Sequence, residues 1–163
     1  MDPNCEDSWR TDKFRDLIAL YAAAIRRLCA VYTRNAADRE DLFQEIFLAV
    51  WKALPAFRGE ATERTWLYRI AHNVGLTWQA RDRRYRREPL EDACIPVCDP
   101  PDPRRIDLIE IISLLPPVDR QLVTLWLEGL TMAEIEQITG MRAGTVAVRL
   151  TRIRHQLSEA THG

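Results

Sequence analysis

A chain of 163 residues, 47% hydrophobic and 29% charged, is long enough for one ordinary domain or two small ones and has a globular composition. It contains no apolar run of about 18 residues, and its start, MDPNCEDSWRTDKF, is acidic and polar where a signal peptide would be basic and then apolar, so a cytosolic, soluble protein is expected. The net charge of −1 hides a segregation. Between Arg58 and Arg87 eight Arg face Glu60, Glu63 and Asp82, and between Arg142 and His155 there are four Arg and no acid. Two footprints on a polyanion fit this pattern; two solvated Arg-rich helix faces are the blander alternative.

In chain order, Phe14, Leu17, Ile18, Tyr21, Ile25, Leu28 and Tyr32 recur at three and four, which predicts one long amphipathic helix ending near Asn35. A second helix is expected to begin after Asp38 as N-cap, with Asp41 three residues on, and to carry Leu42, Phe43, Ile46, Phe47, Val50 and Leu54 to a stop at Pro55. Asp41, Gln44, Glu45, Leu48 and Lys52 line up opposite that stripe, which leaves Leu48 exposed among polar neighbours. It is either part of a partner surface or an ordinary isolated surface leucine.

The loop PAFRGEATER leads into TWLYRIAHN, Thr65 to Asn73, in a helix expected to run on to the Arg81 to Arg87 cluster. At about 100° per residue Leu67, Ile70, Ala71 and Val74 share a core stripe, with Trp66, Arg69 and Asn73 together beside it. An aromatic ring, a guanidinium and an amide in a basic setting suit unstacked single-stranded bases, which offer a π-face and open hydrogen-bonding edges. Trp66 reads equally well as a packing residue.

Arg87 to Asp107 holds five of the nine prolines, has no helical or strand period, and reads as an extended linker. Its Cys94 and Cys98 have the spacing CxxxC, but the only histidines are His72, His155 and His162, so a zinc site lacks its second pair of ligands; with Cys5 and Cys29 they are expected to be reduced thiols. Beyond the linker a helix is expected over Ile106 to Leu115, a break at Pro116 and Pro117, and a helix to Glu128 with Gly129 as its C′ residue. Then comes LTMAEIEQITGMRAGTVAVRLTRIRHQL. Thr131 and Glu134 form a capping box, Gly140 supplies a tight turn, and Ile135, Ile138, Met141, Val146, Leu150, Ile153 and Leu157 can pack two helices across it. This is the layout of a helix-turn-helix whose second helix carries Arg149, Arg152, Arg154, Thr145 and Thr151 away from its apolar stripe, an alternative being an unrelated αα-hairpin with a basic surface.

The blocks DREDLFQEIFLAVWKAL, FRGEATERTWLYRIAHN and LPPVDRQLVTLWLEGLTMAEIEQITGMRAGTVAVRLTRIRHQL resemble the bacterial sigma-70 family, specifically its small extracytoplasmic-function (ECF) sigma factors, in the family's order and with a linker where the family has one. The resemblance implies an all-α chain of two small helical domains: region 2 over residues 8–88, a linker over 89–107, and region 4 with its helix-turn-helix over 108–160. It implies that Asp41, Gln44, Glu45 and Leu48 dock on the β′ clamp helices of core RNA polymerase. Phe57, Arg58, Trp66, Arg69, Asn73, Arg81, Arg83 and Arg84 would meet the melted −10 element, the last three along phosphates. Arg142, Thr145, Ala147, Val148, Arg149, Thr151, Arg152 and Arg154 would meet the duplex −35 element, with Arg149 and Arg154 on phosphates and the preceding helix against the β flap. It implies also an anti-sigma factor, in many members membrane-anchored, and no cofactor, metal, small-molecule substrate or catalytic residue. Two departures stand out. Glu136 occupies a place, four before the turn glycine, that is usually small, and Ala147 and Val148 stand where relatives carry Lys or Arg followed by Ser. A free-standing helix-turn-helix regulator and a module that only sequesters a protein partner are the competing functions.

Overall fold

Helix boundaries in the computed structural model, which describes residues 3–85, 112 and 114–162, follow from local chemistry at each end. Helix α1 runs Pro3–Tyr32 and stops where Thr33 donates both its amide and its hydroxyl to the Cys29 carbonyl, at 3.1 and 2.9 Å. Helix α2 runs Ala36–Ala53, starting earlier than the sequence suggests. Its N-cap is Asn35, in extended backbone, whose side-chain oxygen accepts from the Asp38 amide at 2.8 Å while its Nδ2 donates to the Asp38 carboxylate at 2.7 Å. Asp38 is therefore not the cap but the third helical residue, a reciprocal partner placed where the helix dipole favours an anion. Pro55 ends α2 in a single 3₁₀ turn, Leu54–Ala56. After a loop with Gly59 at φ +74°, α3 spans Glu63–Tyr85.

These three helices form the first unit, closing on Leu17, Ile25, Leu28, Leu42, Ile46, Val50, Leu67 and Ala71, none more than 1% exposed. Phe14 stands edge-on to Phe47 and Trp51 at one end. The second unit begins with α4, Pro117–Leu127, which has proline at its first helical position and ends at Gly129 with φ +79°. Helices α5, Met132–Thr139, and α6, Ala143–His162, follow around Leu122, Leu125, Ile135, Ile138, Val146, Leu150 and Ile153. No strand occurs among the described residues, and the all-α, two-unit architecture expected from the sequence holds. The expected linker and the helix over Ile106 to Leu115 lie outside the described residues, apart from Ile112 and Leu114, which are helical, and Leu115, which lies in a bend. The units touch through α1 against α4 and α3 against α5.

Candidate nucleic-acid interface

Helix α3 divides its faces more finely than a two-face helical wheel allows. Leu67 and Ala71 enter the first unit's core, and Arg69 and Asn73 are exposed on the outside. Trp66 goes inward. It is 8% exposed, with the Phe57 ring folded over it at 4.8 Å and 45°. Its ring, one of the two readings open from the sequence, is thus a packing surface between loop and helix and not a free platform for bases. The wheel could not show this because the residue that covers it sits on a loop. Phe57 is correspondingly half-buried, while Arg58, Arg83 and Arg84 are exposed. Arg81, expected along phosphates, donates to both oxygens of Glu45 at 2.7 Å.

That pair ties α3 to the expected polymerase-docking face of α2. There Asp41 and Gln44 are exposed and Leu48 is 52% exposed, as its neighbours in sequence suggested. Glu45, Leu48, Ala49 and Lys52 of α2 meet Asn73, Val74 and Thr77 of α3 in one shallow cleft of about 350 Å³. Two surfaces that the sequence presents as separate are therefore continuous.

The helix-turn-helix is built as expected. Thr131 accepts from the Glu134 amide at 3.2 Å, the Glu134 carboxylate accepts from the Thr131 amide at 2.8 Å, and Gly140 turns the chain at φ +73°. Hydrogen bonds from the Thr131 amide, then its hydroxyl, hold the Glu134 carboxyl below the usual carboxylate range. Glu136 is exposed, and its Oε2 accepts from the Ala143 amide at 2.9 Å. It neither crowds the helix pair nor hangs in solvent. Instead it caps the first turn of the recognition helix α6, a role visible only once the turn has brought residue 143 to residue 136.

Arg142, just before α6, is exposed, as are Thr145, Thr151, Arg152 and Arg154 on that helix; Val148 is 72% exposed and Ala147 half-buried. Arg149 donates to Asp119 at 2.8 Å and Arg152 lies 3.5 Å from the same carboxylate, which α4 holds almost buried. The Arg154 guanidinium stands 5.7 Å from the Trp126 ring centre. The face is therefore less positive than its arginine count suggests.

One feature escaped sequence reading altogether. Thr65, Tyr68 and His72 form a third, buried face of α3 that meets the second unit. Gln121 of α4 donates through Nε2 to the Tyr32 hydroxyl at 2.7 Å and lies against His72 Nδ1, and the Tyr32 hydroxyl is 2.9 Å from that same nitrogen. Burial holds the His72 pKa below its ordinary value, so the imidazole is neutral here. A Cβ on Gly75 would lie 2.6 Å from the Tyr32 ring, so only glycine lets that ring rest on α3. Burial pushes the Cys29 thiol up to about 12, which leaves it unreactive, as expected for an inert cysteine. Among the described residues no cluster of three or more His, Cys, Asp or Glu could hold a metal, and no helix is long and apolar enough to cross a membrane; Cys94 and Cys98 lie outside those residues.

Comparison with known proteins gives these two units their context. Residues 17–85 match the family model for sigma-70 region 2, and residues 105–157 match that for sigma-70 region 4. The chain is 34% identical over 154 residues to the ECF RNA polymerase sigma factor SigE of Mycolicibacterium smegmatis, an alignment that covers 88% of this chain but only 60% of that protein. It is 31% identical over 162 residues to the ECF RNA polymerase sigma-E factor of Haemophilus influenzae, covering 88% of this chain and 85% of the relative. In fold it is similar to the sigma factor RpoE of Bartonella quintana, solved with the anti-sigma factor NepR, at a TM-score of 0.72 and 21% identity over 90% of this chain and 95% of that one.

Proposed function

The chain belongs to the ECF sigma factors of the sigma-70 family, and from that membership we propose that it joins core RNA polymerase, recognises promoters and opens their strands. The observation that carries this is the pairing, on one chain, of a capped helix-turn-helix with an exposed basic face and a separate basic helix exposing Arg69 and Asn73. The first suits duplex DNA and the second suits unstacked bases, and a protein that holds both forms favours the melted promoter by binding energy alone. Sigma factors are not enzymes, and no catalytic step is assigned.

In this reading residues 8–88 dock and melt, and residues 108–160 read the −35 duplex. Asp41, Gln44, Glu45 and Leu48 meet the β′ clamp helices, and the cleft that Glu45 and Leu48 share with Asn73 puts the captured strand beside the docked polymerase. Arg58, Arg69, Asn73, Arg83 and Arg84 contact the −10 strand, with Trp66 and Phe57 shaping the loop beneath it. Val148 and Ala147 offer apolar contact to thymine methyl groups, Arg152 reaches a base edge, and Arg142, Thr145, Thr151 and Arg154 reach the backbone. RpoE, similar in fold, was captured with an anti-sigma factor, which supports a protein inhibitor of that type here; action on polymerase and promoter DNA makes the cytoplasm its site in this reading.

In vitro transcription with sigma-free core polymerase and a template carrying the chain's own upstream region tests the proposal. Discrete transcripts that depend on the chain are expected. Their absence, together with specific duplex binding by the chain alone, would replace it with a free-standing helix-turn-helix regulator.

A further inference from the structure

Helix α3 turns Thr65, Tyr68 and His72 to the seam between the two units and a stripe of exposed residues outward. At about 100° per residue that stripe runs Arg69, Asn73, Leu76, Ala80, then Arg83 and Arg84, all exposed. Both ends carry groups suited to a polyanion, and the middle does not. Leu76 is 44% exposed, Ala80 follows it one turn on, and Thr77, at the edge of the stripe, spends its hydroxyl proton on the Asn73 carbonyl at 3.0 Å. A lone surface leucine is commonplace. Leu76 is set apart by its place, between two groups of donors on the face assigned to DNA.

The two ends of the stripe suit different stretches of DNA. Arg69 and Asn73 fit bases taken out of the stack, and Arg83 and Arg84 fit phosphates of the same strand where it is still paired. Along the helix Leu76 lies about 4.5 Å beyond Asn73 and about 12 Å short of Arg84, at ~1.5 Å per residue. The second distance spans roughly three to four base pairs at ~3.4 Å per pair. The fork between paired and unpaired DNA then falls on Leu76. What a fork presents is the face of its last base pair, stripped of a stacking neighbour. A phosphate or the hydrogen-bonding edge of a base asks for charge or a donor, whereas a bare base-pair face asks for apolar cover. Inserted leucine, isoleucine or methionine side chains supply that cover in proteins that unstack DNA.

We propose that Leu76, flanked by Ala80, is the fork residue of this chain: it packs on the last paired base as the next base swings out towards Arg69 and Asn73. The proposal rests on the sigma-factor reading and adds to it the side chain that offsets the loss of stacking. Charge complementarity seats the DNA there, since Arg69 on one side and Arg83 and Arg84 on the other draw the strand across the leucine. Apolar contact that forms only once the base has left favours the open promoter alone. It therefore shifts the balance between closed and open states instead of tightening both.

Transcription by the full chain with sigma-free core polymerase tests it on two templates carrying the chain's own upstream region, one fully paired and one with its −10 bases mismatched so that they are already open. At saturating holoenzyme, Leu76→Ser should lower transcription from the paired template about tenfold, which is what burial of roughly one to two methylene groups contributes, and from the open template by less than about twofold. Leu76→Met, which keeps the apolar bulk, should retain parental transcription on both. Output from the open template also shows that the serine variant is folded and joined to polymerase. Parental transcription by Leu76→Ser on the paired template, or an equal loss on both templates, overturns the assignment while leaving the sigma-factor reading in place. A parent chain silent on both templates defeats that reading, and the fork assignment with it.

Discussion

Arg69 of α3 and Arg149 of α6, both expected to face a polyanion, are held in opposite ways. On α3, Arg69 is exposed with no side-chain partner among the described residues, beside the equally exposed Asn73. On α6, Arg149 is drawn 2.8 Å onto the nearly buried Asp119, with Arg152 3.5 Å from the same carboxylate. A pinned guanidinium has already lost its rotamer freedom and part of its field, so it adds orientation more than attraction; a free one adds full charge and must be ordered on binding. Duplex DNA presents phosphates at fixed spacing and rewards the first arrangement. A melted strand has no fixed shape and rewards the second.

The strongest way to break this contrast is to empty the α3 face. Arg69→Ala with Asn73→Ala removes two contacts of roughly 1–3 kcal/mol each, so open-complex transcription should fall about 100-fold or more while binding of a −35 duplex stays at the parental level. Run-off transcription beside a duplex binding assay reads both, and equal losses in the two would mean that the faces are not separate. On the other side, Asp119→Ala unpins Arg149. Because Arg149 is more than a third exposed, the expected cost is about 2 kcal/mol, less than for a fully buried pair, and it is seen as a lower melting temperature. The freed charge should also steepen the salt dependence of duplex binding by about one phosphate contact. An unchanged melting temperature would show that Asp119 anchors nothing.

Glu136→Ala should cost about 1 kcal/mol in thermal or urea unfolding, the loss of a helix cap with a favourable dipole contact. A stabilised variant would instead mean that Glu136 strains the packing of the helix pair. The smallest expected effect is at the seam. The buried His72 has a pKa below its ordinary value of about 6.5, so the unfolded chain binds the proton more readily. The stability that the buried His72 allows should therefore be fully present above about pH 6.5 and fall as pH drops below it, seen as a lower melting temperature on acidification; a melting temperature that rises or stays constant down to about pH 5 would contradict that sign.

Much of this was legible in residue order. The α1 and α2 stripes, the exposure of Leu48, the Thr131–Glu134 capping box and the glycine turn at 140 all depend on neighbours within four positions, and the structure reproduces them. The start of α2 was misplaced because Asn35 and Asp38 are both good caps, and only the backbone at 35, extended where 38 is helical, decides between them. Trp66, Arg81, Asp119, Glu136 and the seam were not legible, since each is settled by a partner on another element or across a turn: Phe57, Glu45, Arg149, Ala143 and Gln121.

The sequence by itself determined most of the helices and the two basic stretches, because periodicity, capping and charge are local and additive along the chain, and its motif blocks carried the resemblance to the family. Only the tertiary structure decided which arginines are free, which aromatic is buried and how one unit is fastened to the other. Those outcomes turn on hydrogen bonds and burial between residues up to 101 positions apart, as for Arg27 and Glu128, a separation at which no short-range pattern carries a signal.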